Sequence, residues 1–214
     1  MSLHYLWIPA GYLLGNINTA AIIARCKGFD IRQKGSGNAG ASNALVTMGK
    51  GAAVTSALVD ILKAFLPVWL LLHVIHLPES CAHVPVLTGA AVILGHMFPF
   101  WMQFRGGKGF ASLLGFSLAV DWRMCLACVV LLGILLLVTR YIALATVSSA
   151  VLVPVWHLVR TRDMLEFAVL AVVGVIIIVK HIPNLKRIAS GTEIGFRKEQ
   201  VTAKPQPDAD EKSE

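Results

Sequence analysis

Three segments of the chain set glycines, small polar side chains and cations close together. They are Lys34 to Asn43 (KGSGNAGASN), Gly95 to Ser112 (GHMFPFWMQFRGGKGFAS) and Lys180 to Glu193 (KHIPNLKRIASGTE). Glycine lets backbone N–H groups approach a ligand and tolerates positive φ. Lys108, between Gly107 and Gly109, adds a point charge suited to phosphate. A helix beginning just after it would aim its N-terminal N–H groups at the same point. Gly107-Lys108 is followed by Gly109 rather than Ser or Thr, so this is not a Walker A loop. Ordinary turn chemistry explains each segment alone about as well. Three of them on one side of a membrane describe a site for a phosphorylated, water-soluble compound.

Four further residues are candidates. Asp60 and Lys63 lie about one turn apart on a helix face. A charge inside a membrane is a functional candidate by default, and a self-paired ion pair is the plainer reading. His96 and His181 flank apolar runs. Each could serve as a base, as a donor to phosphate, or simply as an interface anchor.

These residues must be positioned by membrane helices. Of 214 residues, 56% are hydrophobic and 14% charged, against about 25% charged in a soluble domain. Mean hydropathy is +0.70. The expected fold is an all-α integral membrane protein with one membrane domain, residues 1–197, and a disordered cytosolic tail, residues 198–214. The expected spans are Leu3–Ala24, Ala52–Leu77, Val84–Met102, Phe110–Val120, Met124–Thr139, Tyr141–Val159 and Met164–Val179. Phe110–Val120 is short against the roughly 20 residues of a perpendicular span. Charge decides in its favour. Seven spans place fifteen of the nineteen Lys and Arg residues inside and three outside, as the positive-inside rule requires. Seven transmembrane helices put the N-terminus outside and the C-terminus in the cytosol. All three polar segments then face the cytosol. Asn16 and Asn18, inside the first span, should face other helices, where amides find partners.

Several classes drop out. The net charge of +7 is spread over short interhelical segments, unlike the basic patch of a nucleic-acid binder. Cys125 and Cys128 lie in an apolar run, and no Cys/His cluster has zinc spacing. Leu3–Ala24 lacks the basic n-region of a cleaved signal peptide. No Gly-x-Ser-x-Gly elbow, no H-x4-D pair and no paired-aspartate metal motif occurs. With few inner-face carboxylates, metal catalysis is not expected. His4, His73, His76, His83 and His157 fall toward the outer side and receive no role.

The three segments resemble, in order, the three motifs of the acyl-phosphate-dependent glycerol-3-phosphate acyltransferase family, PlsY. The resemblance takes in Asp60 and Lys63 and runs to about Arg197. It implies a bacterial inner-membrane enzyme that moves an acyl group from acyl phosphate to the 1-hydroxyl of glycerol 3-phosphate, without acyl-CoA, cofactor or metal. A monomer among membrane lipids would suffice. On this resemblance Lys108 binds phosphate, with Ser36, Asn38 and the Gly35, Gly37, Gly106 and Gly107 backbones lining the cradles. Asn43, His181 and Asn184 orient glycerol 3-phosphate, with Glu193 beside them. His96 supports the reacting centre, and Asp60 stands near the substrate. The family's arginine three residues after the motif-one asparagine is Val46 here. That removes a contact worth roughly 1.5–3 kcal/mol, which Lys50, Arg105 or Arg187 could restore. The family favours G-S-I-P where this chain has Gly15-Asn16-Ile17-Asn18, and a serine where it has Ala143. The same departures fit a second expectation, a divergent non-catalytic or altered-substrate homologue that binds a phosphorylated metabolite.

Overall fold

A computed structural model of the chain describes residues 3–193 and 195. The expected tail, residues 198–214, lies outside the described residues. All regular elements among the described residues are helical: α1 (Trp7–Gly15), α2 (Thr19–Cys26), α3 (Ala41–Met48), α4 (Lys50–His73), α5 (Val84–Met97), α6 (Phe110–Val120), α7 (Trp122–Thr139), α8 (Ile142–Thr161) and α9 (Met164–Ala189). Short 3₁₀ turns precede α1, α3 and α5, and another follows α5.

Polarity is inverted relative to a soluble bundle. On α4, Leu58, Leu62 and Leu66 recur every four residues and are exposed, while Ser56, Asp60 and Lys63 are buried. Long apolar side chains facing outward along a helix mark a lipid-facing surface. Among the described residues, six segments are long and apolar enough to cross a membrane. The eleven residues of α6 rise about 16 Å, roughly half the 30 Å hydrocarbon core. Phe116 on α6 is fully buried and packs in the main core with Val68, Ile93 and Met124.

The first span is two helices rather than one. Asn18 caps α2 by accepting from the Ala21 N–H at 2.9 Å, and its amide donates to the Ala39 carbonyl at 2.9 Å. Asn16 accepts from the Phe100 N–H at 2.8 Å, and its carbonyl accepts from the Trp101 indole at 2.8 Å. Both asparagines therefore do face other segments, and they do so by ending one helix and starting the next. The small residue at Gly15 permits this: a Cβ there would lie 2.2 Å from the Val92 carbonyl oxygen and 2.9 Å from the Gly95 Cα. Backbones that approach so closely require glycine.

The segment expected as one polar loop between the first two spans contains α3, whose first residues belong to GSGNAGASN. The last helix also outruns expectation. α9 continues ten residues past Val179 to Ala189 and carries Lys180 to Arg187 as helix. His181, Asn184 and Arg187 are spaced by three, so they share a face.

Candidate active site

The three polar segments meet. A cavity of about 670 Å³ is lined by Gly35, Ser36 and Asn38 from the first, Lys108 from the second, and His181, Asn184, Arg187 and Glu193 from the third. Lys50 and Val46 line the same space. One wall is apolar, built from Val54 and Ala57 of α4 and Ile142 and Ala143 at the start of α8. A charged floor beside an apolar wall suits a ligand with an anionic head and a hydrocarbon chain.

Lys108 donates to Asn184 Oδ1. The Asn184 amide donates to Glu193 Oε1, and Glu193 Oε2 accepts from Arg187 Nε at 2.6 Å. This chain of contacts joins the second segment to the third. Burial lowers the Lys108 ammonium to about 8, and the nearby Arg187 charge adds to the shift while Glu193 opposes it. An incoming phosphate would offset this desolvation. The direction gives a pH dependence. Lys108 is charged below about pH 8 and loses its proton above, so kcat/KM should fall on the alkaline side of that value. Lys108→Arg keeps a cation at every accessible pH, and rate measurements from pH 6 to about 10 should show that alkaline fall flattened in the variant.

His181 sits within this lining but is buried. Its Nδ1 donates to the Ile177 carbonyl at 2.8 Å. That bond fixes the proton on Nδ1 and leaves Nε2 as an acceptor. Asn43 differs from expectation. Its Oδ1 accepts from the Ser36 N–H at 2.9 Å, and its amide donates to the Ile31 and Lys34 carbonyls, each at 3.0 Å. With these three contacts on backbone it shapes the first segment, and it also lines the cavity.

The glycines of the second segment also differ from expectation. Gly106 N–H donates to the Met97 carbonyl and Gly107 N–H to the His96 carbonyl, each at 3.1 Å. These are last-turn carbonyls of α5, which have no partner within the helix. Both donors are therefore spent folding the loop back on α5. Gly106 and Gly37 instead line a second pocket of about 530 Å³ with Arg32, Arg105 and Lys180. Arg105 is thus outside the main cavity, and of the cations that could replace the missing arginine, Lys50 and Arg187 remain. Asp30 N-caps the turn before the first segment, and Arg32, paired to it at 2.7 Å, holds its carboxyl below the usual range. Arg32 also donates to the Met102 carbonyl at 2.8 Å, tying the first segment to the second.

His96 and Asp60 do not line this cavity. Both are 2% exposed. Lys63 Nζ lies 2.7 Å from Asp60 Oδ1, 2.9 Å from His96 Nδ1 and 2.6 Å from the Ile17 carbonyl. The ammonium donates to the Ile17 carbonyl, meets His96 Nδ1 within hydrogen-bond distance and forms an ion pair with Asp60. The Ile17 carbonyl is available because the helix breaks between α1 and α2. His96 Nδ1 also lies 3.3 Å from Asp60 Oδ1, so it faces both members of the pair, and Nε2 stands on the opposite edge of the ring. That edge of the ring lies against Gly107, where a Cβ would sit 2.0 Å from His96 Nε2. Lys63 pins the ring, so it is the loop that must yield in Gly107→Ala. Lys108 is the next residue, and a displacement of about 1 Å at a positioning group can cost about 10²-fold. We expect kcat/KM of Gly107→Ala to fall by about that factor with the fold retained, as read by steady-state rates beside a thermal melt.

Comparisons with known proteins place the chain in a family. The family model for glycerol-3-phosphate acyltransferase matches residues 5–191. A glycerol-3-phosphate acyltransferase of Geotalea daltonii is 32% identical, covering 92% of this chain and all of the relative. One from Mesorhizobium japonicum is 38% identical, covering 86% and 91%. The crystal structure of PlsY, an integral membrane glycerol 3-phosphate acyltransferase, in its glycerol 3-phosphate form superposes with a TM-score of 0.86 at 31% identity, over 95% of this chain and all of that one. The lysophosphatidic acid form gives 0.79 at 33% identity, over 94% and 98%. With 187 consecutive residues matched by the family model and the whole fold shared with PlsY, the chain belongs to the glycerol-3-phosphate acyltransferase family.

Proposed function

We propose that this chain transfers a fatty acyl group from acyl phosphate to the 1-hydroxyl of glycerol 3-phosphate, releasing 1-acyl lysophosphatidic acid and inorganic phosphate. One observation carries the reading: the cavity brings Lys108, Arg187, Ser36 and His181 against an apolar wall. Acyl phosphate is a mixed anhydride and already activated, so positioning and charge neutralisation suffice. The glycerol hydroxyl oxygen attacks the acyl carbonyl carbon. The carbon–oxygen bond to phosphate breaks, and phosphate leaves with the bonding pair. The hydroxyl proton passes to that phosphate. Lys108 neutralises phosphate charge with Arg187 beside it, and Asn184 holds the Lys108 ammonium in place. His181 Nε2 accepts from the hydroxyl and aligns it. Ser36 and Asn38 complete the anion contacts. No cofactor or metal takes part, and one chain supplies every residue, so a monomer is sufficient.

We read α6 as a seventh pass. Supporting this, the α6–α7 junction at Asp121 accepts from Trp156 at 3.1 Å near the end of α8. The Tyr5 hydroxyl reaches the Ser80 carbonyl at 2.8 Å, close to the start of α5. The cavity lies at the other end, where α8 begins and α9 finishes. Charge asymmetry then puts the cavity in the cytosol and the N-terminus outside a bacterial inner membrane. Residues 1–197 form the single membrane domain on this reading.

Val46 favours one alternative, a homologue with altered or lost turnover. It is 50% exposed and lines the cavity where the family has an arginine. Val46→Arg distinguishes the two. If Lys50 and Arg187 already supply the charge, the variant should gain less than about threefold in kcat/KM. A gain of tenfold or more, the scale of a charge-assisted hydrogen bond of about 1.5–3 kcal/mol, would assign the defect to this position.

A further inference from the structure

The end of the bundle opposite the cavity holds a second polar cluster, which acyl transfer does not use. His83 immediately precedes α5, Asp163 caps α9, and Glu166 stands in the first turn of α9. His83 Nδ1 lies 3.2 Å from Glu166 Oε1 and 3.5 Å from Asp163 Oδ2. One ligand atom from each of the three residues lies within 4.8 Å of the other two.

The other oxygen of each carboxylate is occupied. Asp163 Oδ1 accepts from the Glu166 N–H at 2.9 Å. Glu166 Oε2 accepts from His157 Nε2 at 2.7 Å, and His157 is buried on α8. Both carboxylates are thus held with one oxygen turned toward the same imidazole nitrogen. A single ring nitrogen carries at most one proton and satisfies only one of them. A divalent cation would satisfy all three donors at once. Around Zn²⁺, with bonds of about 2.0–2.1 Å, tetrahedral donors stand about 3.3 Å apart. The separations of 3.2 and 3.5 Å bracket that edge. An imidazole ligand argues against Ca²⁺ and Mg²⁺, which take oxygen donors.

We propose that His83, Asp163 and Glu166 form a zinc site with a fourth position open to water. His157 is its outer partner, fixing the orientation of Glu166 as hydrogen-bonded carboxylate ligands require. The His83 side chain is 40% exposed, which leaves an entry path. The bound ion clamps the start of α5 to the α8–α9 connection.

The test uses purified full-length protein stripped by a chelator and titrated with ZnCl₂. Bound zinc and unfolding temperature are followed together. One zinc per chain and a rise in Tm are expected. Asp163→Asn keeps the α9 cap, since Asn caps as well as Asp, while removing the ligand charge. It and His83→Gln should remain folded and bind zinc at least about tenfold more weakly. No zinc uptake by the wild type, equal uptake by both variants, or a Tm response to CaCl₂ but not ZnCl₂ would each overturn the assignment.

Discussion

Lys108→Ala should reduce acyl transfer by about 10²–10³-fold or more, the range for removing a group that stabilises charge developing in a transition state. The lysine is the only cation that the second segment brings to the cavity lining. Its ammonium is partly buried and held by Asn184. Alanine leaves the leaving phosphate without its nearest counter-charge and leaves Asn184 without its donor. The fold should survive, because Lys108 sits in a loop whose path is fixed by the Gly106 and Gly107 bonds to α5. A rate loss beside an unchanged melting temperature is therefore the expected pair of results. Loss of rate together with collapse of the melt would instead make Lys108 a structural residue.

The second large effect concerns stability. Lys63→Met should destabilise the protein by about 3–5 kcal/mol, the cost of leaving a buried charge without its partner. Asp60 is 2% exposed and Lys63 is 7% exposed. Methionine fills the volume but removes the ammonium, so the Ile17 carbonyl loses its donor and the Asp60 carboxylate loses its cation, keeping only His96 Nδ1 at 3.3 Å. A double change, Asp60→Leu with Lys63→Met, removes the stranded carboxylate as well and should recover a substantial part of the loss. Thermal unfolding in detergent of the two single variants and the double variant measures this coupling. Equal and additive losses would mean that the pair is not a unit.

Much of the site was legible because each segment is contiguous in the chain. Glycines, a lysine and small polar residues mark themselves within ten to eighteen positions, and charge asymmetry assigned them to one face. What the segments do internally was not legible. Whether Gly106 and Gly107 donate to a ligand or to α5 depends on how the loop folds back, which no local pattern encodes. Asn43 reads as a polar side chain near a ligand until three backbone groups are seen around it.

Asp60 and Lys63 were recognisable as a pair, but their third and fourth partners were not. The Ile17 carbonyl becomes an acceptor only because Asn16 and Asn18 interrupt the first span. His96 joins them from 33 residues away. The length of α9 was missed because a hydropathy reading stops at the first charges, Lys180 and beyond. The helix continues because His181, Asn184 and Arg187, polar by composition, share the face that lines the cavity. The cluster at the opposite end of the bundle is not legible for a similar reason: its members come from positions 83, 157, 163 and 166, and only the packing of the α8–α9 connection near the start of α5 draws them together.

The cavity joining the three segments is proposed to perform acyl transfer from acyl phosphate. The direct measurement supplies the purified wild-type protein with glycerol 3-phosphate and either palmitoyl phosphate or palmitoyl-CoA, and counts lysophosphatidic acid and inorganic phosphate. Palmitoyl phosphate should give 1-acyl lysophosphatidic acid and one phosphate per turnover, and palmitoyl-CoA should give no product. Folded protein that binds glycerol 3-phosphate yet forms no product with palmitoyl phosphate, or that uses palmitoyl-CoA instead, would contradict it.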